Sequence, residues 1–127
     1  MLINLKNFFL TILIFLGVDF VWLALVAKKF YDSELVAFER TVRWPAAILI
    51  YFLLALGVNI FVLPKAGGVP SRALIYGGLL GLIAYATYDL TNFAILKNFT
   101  FKMTVIDILW GTFIVGSVSF LVTLIIK

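Results

Sequence analysis

Residues 85–92 read Y-A-T-Y-D-L-T-N and set a carboxylate, Asp89, inside a run that otherwise belongs in hydrocarbon. An acid in such surroundings costs about 2.5–3.5 kcal/mol to insert into a bilayer, and it points to function until a structural partner accounts for it. Two further acids lie in apolar runs, and each has a tryptophan three residues on: Asp19 with Trp22, and Asp107 with Trp110. An indole one helical turn from a buried acid can donate its N–H or wall a cation. On a helix, Tyr85, Asp89 and Asn92 recur at i, i+4 and i+7 with Tyr88 beside them, which makes one polar face. The chain has no cysteine and no histidine. Disulfides, thiolate metal sites, Ser-His and Cys-His nucleophile pairs and histidine proton relays are thereby excluded, leaving carboxylate, hydroxyl, amide and cation chemistry.

The elements that must position these residues follow from composition. Of the 127 residues 65% are hydrophobic and 13% charged, against about 25% charged in a soluble domain, so the chain is expected in a membrane as one transmembrane domain, 1–127. Spans of about 20 residues fit an all-α bundle of four membrane helices, at about 7–27, 45–63, 72–96 and 103–126. The first run is longer than a signal-peptide core, is interrupted by Asp19 and lacks an A-x-A cleavage site, so it is read as helix 1. Pro45 opens helix 2 and Pro64 closes it ahead of K-A-G-G-V-P-S. Gly77, Gly78 and Gly81 give helix 3 a small-residue face that another helix can approach closely. Between helices 1 and 2, Leu35, Phe38 and Val42 at helical spacing, after Asp32 or Ser33 as cap, predict a short interfacial helix at about 33–43 with Arg40 and Arg43 toward lipid phosphates.

Four spans put both termini on one side. The side of loops 28–44 and 97–102 has Lys28, Lys29, Arg40, Arg43, Lys97 and Lys102, against Lys6, Lys65, Arg72 and Lys127 on the other. The positive-inside rule then expects an inner-membrane protein with those two loops cytoplasmic and the termini outside. The net charge of +4 sits on single residues flanking apolar runs, which suits lipid head groups as partners and gives no basis for nucleic-acid binding.

Depth brings the acids together. At about 1.5 Å per residue, Asp19 lies about 13 Å below the Lys28 interface, Asp89 about 12 Å below Lys97, and Asp107 about 7–8 Å below Lys102, all from the same face. Tyr51, about 9 Å below Pro45, reaches the same layer. The expected binding site for a ligand or ion is therefore Asp19, Trp22, Tyr51, Tyr85, Tyr88, Asp89, Asn92, Asp107 and Trp110. Three acids without an internal Lys or Arg must share protons, bind a cation or open to water. Against this stands simple structural use: Asn92, Thr91 and Tyr51 serve commonly as interhelical hydrogen-bonding glue, and Asp107 near the start of helix 4 can favour its positive dipole end.

The runs D-F-V-W-L (19–23), A-K-K-F-Y (27–31), G-L-I-A-Y-A-T-Y-D-L-T-N-F-A-I-L-K (81–97) and V-I-D-I-L-W-G-T (105–112) together resemble a family of small four-helix bacterial membrane proteins of unknown function. The resemblance covers almost the whole chain, and Y-D-L-T-N-x-A-x-L-K is its specific part. It departs after that run, where Phe99-Thr100 stands in place of the family's Trp-Pro. The resemblance implies a membrane location and the motif residues, and no activity. Three readings are open. In the first, the acids take up a proton or cationic substrate in a small transporter, with the pathway between two copies of the chain. In the second, the protein is a non-catalytic accessory or lipid-binding protein with a structural polar layer. In the third, Asp19, Asp89 and Asp107 hold a metal such as Mg²⁺ in a lipid-modifying enzyme. Their spacing matches no recognised lipid-phosphate motif and no activated nucleophile is present, so the balance is against an enzyme.

Overall fold

Apolar side chains along nearly every helix face are what a chain surrounded by lipid requires, since each backbone polar group must then be satisfied within its own helix. A computed structural model describes residues 4–36, 38 and 43–126, with helices and no strands among them. Among the described residues four segments are long and apolar enough to cross a membrane: Leu5–Val26, Trp44–Ala66, Pro70–Ile95 and Phe101–Ile125. Leu13, Phe20, Ile83 and Leu109 are among many large apolar residues turned outward, as a lipid-facing surface demands.

The first span begins at α1 (Leu5–Val21), where the Asn4 side chain accepts from the Asn7 N–H at 3.2 Å. It continues as a π-helical turn, Trp22–Val26, in which the Ala27 N–H donates to the Trp22 carbonyl at 2.7 Å. Ala27 then redirects the chain into α2 (Lys28–Glu34). The interfacial helix expected at 33–43 is thus found earlier. Its start is held by a Lys28–Asp32 ion pair one turn apart, and it stops at Leu35. Asp32 and Ser33 lie within this helix and do not cap it. Most of 37–42, including Arg40, lies outside the described residues, and Arg43 precedes α3.

The second span runs α3 (Trp44–Gly57), a second π turn (Val58–Val62) and α4 (Leu63–Ala66). Pro64 was expected to close this helix, but the helix passes through it. In the widened turn the Leu63 N–H donates to the Val58 carbonyl. That makes room for a proline ring, which would crowd the carbonyl four residues back in a regular α-helix. The stop falls at Gly67, whose φ of 59° is a left-handed conformation suited to glycine. The third span is α5 (Pro70–Ile95) and the fourth α6 (Phe101–Ile125), capped by Thr100, whose Oγ accepts from the Met103 N–H at 3.0 Å. All four spans begin one or two residues earlier than the apolar runs suggested, because a side-chain cap (Asn4, Thr100) or a proline in the first turn (Pro45, Pro70) starts each helix there.

α5 and α6 pack through glycines. A Cβ on Gly81 would sit 2.2 Å from the Gly111 carbonyl oxygen, and one on Gly77 2.4 Å from the Ser119 Oγ. Gly116 faces the Leu74 carbonyl at 3.0 Å by the same measure. The small-residue face read from helix 3 is therefore a contact seam, with Gly111 and Gly116 as its counterparts in helix 4. Phe15, Val58, Val62, Ala66, Val115, Val118 and Val122 fill the half of the bundle nearer the termini. Polar groups in this half are satisfied: Ser119 and Thr123 donate to carbonyls four residues back, and Asn59 donates to the Ala55 carbonyl of its own span and across to Thr11 Oγ1 of the first.

At the opposite end the loops are tied together. Thr100 Oγ1 donates to Glu34, the Phe38 and Phe99 rings meet edge to face at 6.3 Å, and the Lys102 ammonium lies over the Phe30 ring at 5.7 Å. If the seam sets the bundle, Gly81→Ala lowers stability by about 1–3 kcal/mol or more through overpacking, whereas Gly17→Ala, with nothing within 4 Å, is tolerated. Thermal unfolding in detergent checks this; equal behaviour of the two variants would remove the seam from its role.

Candidate functional site

In the half-bundle toward the tied loops, the packing opens into a cavity of about 520 Å³. Among the described residues its polar lining consists of Asp19 and Asp107 with Tyr31, Tyr51, Tyr85, Tyr88 and Trp110; the rest of that lining is apolar, including Phe15, Leu54, Met103 and Ile114, with no Lys or Arg. Each acid is delivered by a different helix. α1 presents Asp19 one turn before its π turn, and the Tyr51 hydroxyl of α3 donates to Asp19 Oδ2. α6 presents Asp107 in its second turn, and the Tyr31 hydroxyl of α2 donates to Asp107 Oδ1 at 2.8 Å. The Trp22 indole N–H in turn donates to the Tyr31 oxygen at 3.3 Å, forming a relay from Trp22 through Tyr31 to Asp107.

Tyr85 owes its place to a glycine. A Cβ on Gly111 would fall 2.0 Å from the Tyr85 ring, so the ring lies flat against the bare backbone of α6. One turn on, Asp89 is buried completely, and neither of its carboxyl oxygens meets a hydrogen-bond donor among the described residues. The Asp107 carboxyl is close enough for its charge to act on Asp89. Two facing carboxyls have no hydrogen between them unless one carries a proton, and an unsatisfied buried charge is far costlier than a shared proton. A proton on one of the two acids would relieve that cost, as it does in a carboxyl dyad.

Of the residues expected from sequence, Asp19, Tyr51, Tyr85, Asp107 and Trp110 line the cavity together, and Asp89 stands behind Asp107. Tyr88 lies at the rim, 61% exposed. Asn92 does not join them: it is half-buried and away from the lining, to which α5 contributes Ala84, Tyr85 and Tyr88. Trp22 is also outside. It stacks on Trp110 at 4.2 Å with the rings 10° apart, and the two indoles wall an apolar groove of about 630 Å³ between the first and fourth spans. Among the described residues no three acidic side chains are grouped so as to hold a metal ion, and the trio Asp19, Asp89 and Asp107 has no joint coordination geometry.

Tyr31 is the residue that the reading of the sequence missed. Its segment looked like a loop between charges, and the signal was an aromatic pair, Phe30-Tyr31, set directly after Lys28-Lys29. Burial pushes its phenol above the ordinary tyrosine value; the adjacent Asp107 charge adds to the shift, and the Trp22 hydrogen bond opposes it.

The family model described as Predicted membrane protein (DUF2177) matches residues 4–124. No curated protein and no solved structure matches the chain.

The raised phenol predicts a specific alkaline weakness. Unfolded Tyr31 loses its proton near pH 10 while the folded phenol keeps it, so the unfolded state binds fewer protons and stability falls as pH rises above that point. Tyr31→Phe reduces this alkaline fall, and costs about 1–3 kcal/mol at neutral pH by leaving Asp107 without its donor. Unfolding curves between pH 7 and 11 for the two proteins measure both effects.

Proposed function

Because the chain belongs to the DUF2177 family of predicted membrane proteins, to which no activity is attached, we propose from its site that it is a small proton- or cation-linked transporter working as a dimer. One observation carries the reading: a fully buried acid without a donor, Asp89, backs onto the cavity acid Asp107. Intramembrane acids that face a cavity commonly mark ion pathways and proton relays. Asp107 stands between the dyad proton on one side and the cavity on the other. A cation arriving at Asp107 competes for the charge that the shared proton neutralises, so binding of one favours release of the other.

Dimer formation answers a limit of the single chain. The cavity occupies one half of the bundle, and the other half is filled by side chains with almost no exposure, among them Val58, Val62, Val115, Val118 and Val122. A route across the membrane needs a second surface, which another copy supplies. A second reading, a non-catalytic lipid-binding or accessory protein, draws on the apolar groove walled by Trp22 and Trp110, which suits an acyl chain. In that case the acids only join the helices.

Phosphatidylcholine proteoliposomes holding a pH-sensitive dye under an imposed pH gradient test transport. Sodium, potassium, choline and tetraphenylphosphonium are added in turn. With a transporter at least one of them collapses the gradient, and Asp89→Asn abolishes the collapse while still unfolding cooperatively. Gradients that stand against every cation would rule transport out. Infrared spectroscopy reads the dyad: wild type shows the carbonyl stretch of a protonated carboxyl, and Asp89→Asn removes it.

A further inference from the structure

Resting on the transport reading, we infer that the cavity's substrate class is an organic monocation with an apolar body, bound between aromatic faces and the carboxylates of Asp19 and Asp107. Size is the first argument. About 520 Å³ falls in the range of small-molecule sites, which are largely apolar with a few placed polar groups. A bare metal ion instead requires a close shell of oxygens, and no three acidic side chains among the described residues supply one.

Charge is the second argument. Among the described residues Asp19 and Asp107 are the ionisable acids of the lining, and Asp89 adds a third acid behind them that meets no donor there. One proton on the Asp89–Asp107 pair leaves net negative charge in the cavity, which excludes an anionic ligand and leaves a neutral one without reason to prefer these acids. The tyrosine hydroxyls of Tyr51 and Tyr31 orient the carboxylates and do not neutralise them.

The walls give the third. Tyr85 is held against Gly111 and Trp110 is held by its stack on Trp22, so two ring systems are fixed before any ligand arrives. Aromatic faces attract cations, most strongly where water is excluded, and Phe15 and Leu54 complete a surface that favours hydrocarbon substituents over a hydrated ammonium. Rigid rings with paired acids thus select charge and hydrophobicity together, whereas a strongly hydrated amine or an alkali ion would forfeit its water for few oxygens.

Tetraphenylphosphonium and tetraphenylborate, ions of matching shape and opposite charge, test this on the wild-type protein in phosphatidylcholine nanodiscs. Quenching of tryptophan fluorescence is read against empty discs. Saturable binding of the phosphonium, with the borate at least about tenfold weaker, is the expected result, since a charge pair removed from water contributes differences of that order. Asp107→Asn and Asp19→Asn each weaken the phosphonium by about tenfold or more; the comparison of the two ions stands whether or not these variants fold. Equal binding of both ions, or no saturable binding of the phosphonium, overturns the inference. In the proteoliposomes, collapse driven by sodium or potassium and not by the phosphonium would leave the transport reading in place and overturn the substrate class. Saturable, charge-selective binding without any collapse would support the substrate class and overturn transport.

Discussion

The approach of α5 to α6 is the constraint on which the site depends. At Gly77 and Gly81 the backbone of α6 comes closer than a side chain would permit, and at Gly116 the approach is nearly as tight. Lipid offers no hydrophobic drive for such contact, so close packing itself must supply the association. The same closeness continues past the last glycine: it presses the Tyr85 ring onto Gly111 and carries Asp89 against Asp107. Asp107 keeps the Tyr31 hydroxyl and the cavity, whereas Asp89 is sealed behind it without a donor among the described residues.

From that pairing the bundle divides into two kinds of interior. Toward the termini, valines interlock with Phe15 and every buried hydroxyl returns to its own helix. Toward the tied loops, hydroxyl groups reach across between helices: Tyr51 to Asp19, Tyr31 to Asp107, Thr100 to Glu34. In the first half Asn59 to Thr11 is the interhelical polar bond described, while in the second several such bonds join helices around a space. That contrast separates a cavity able to do chemistry from ordinary interhelical bonding, and it sets the acids where a ligand could reach them.

Much of this was legible in the sequence. Four spans followed from hydrophobic runs and their basic flanks, and the common depth of Asp19, Tyr51, Asp89 and Asp107 needed only the helical rise. The glycine face of helix 3 was also plain, since its small residues recur at helical spacing. What spacing could not give was the direction of side chains near helix ends. Asn92 shares a face with Tyr85 and Asp89 on a helical wheel yet lies clear of the cavity, and Trp22 shares the Asp19 turn but points to the groove outside. Tyr31 could not be placed, because its contribution depends on α2 folding back over the bundle, a tertiary event with no local period. The role of Thr100 in the hairpin likewise became plain only from its cap on α6 and its bond to Glu34.

Both π turns fall in the first two spans, Trp22–Val26 and Val58–Val62, while Pro70–Ile95 and Phe101–Ile125 run as unbroken α-helices. A π turn holds one residue more than an α-helical turn, so it is the place where a chain absorbs an insertion without lengthening its neighbours. Changes in chain length are therefore unevenly permitted along this molecule. A residue gained or lost within the first two spans can be taken up by converting one kind of turn into the other. Within the last two the same change would rotate one side of the glycine seam by about 100° and separate Asp89 from Asp107. Spans 3 and 4 are accordingly where relatives of this chain should keep a constant residue count, and spans 1 and 2 are where their lengths are free to drift by one.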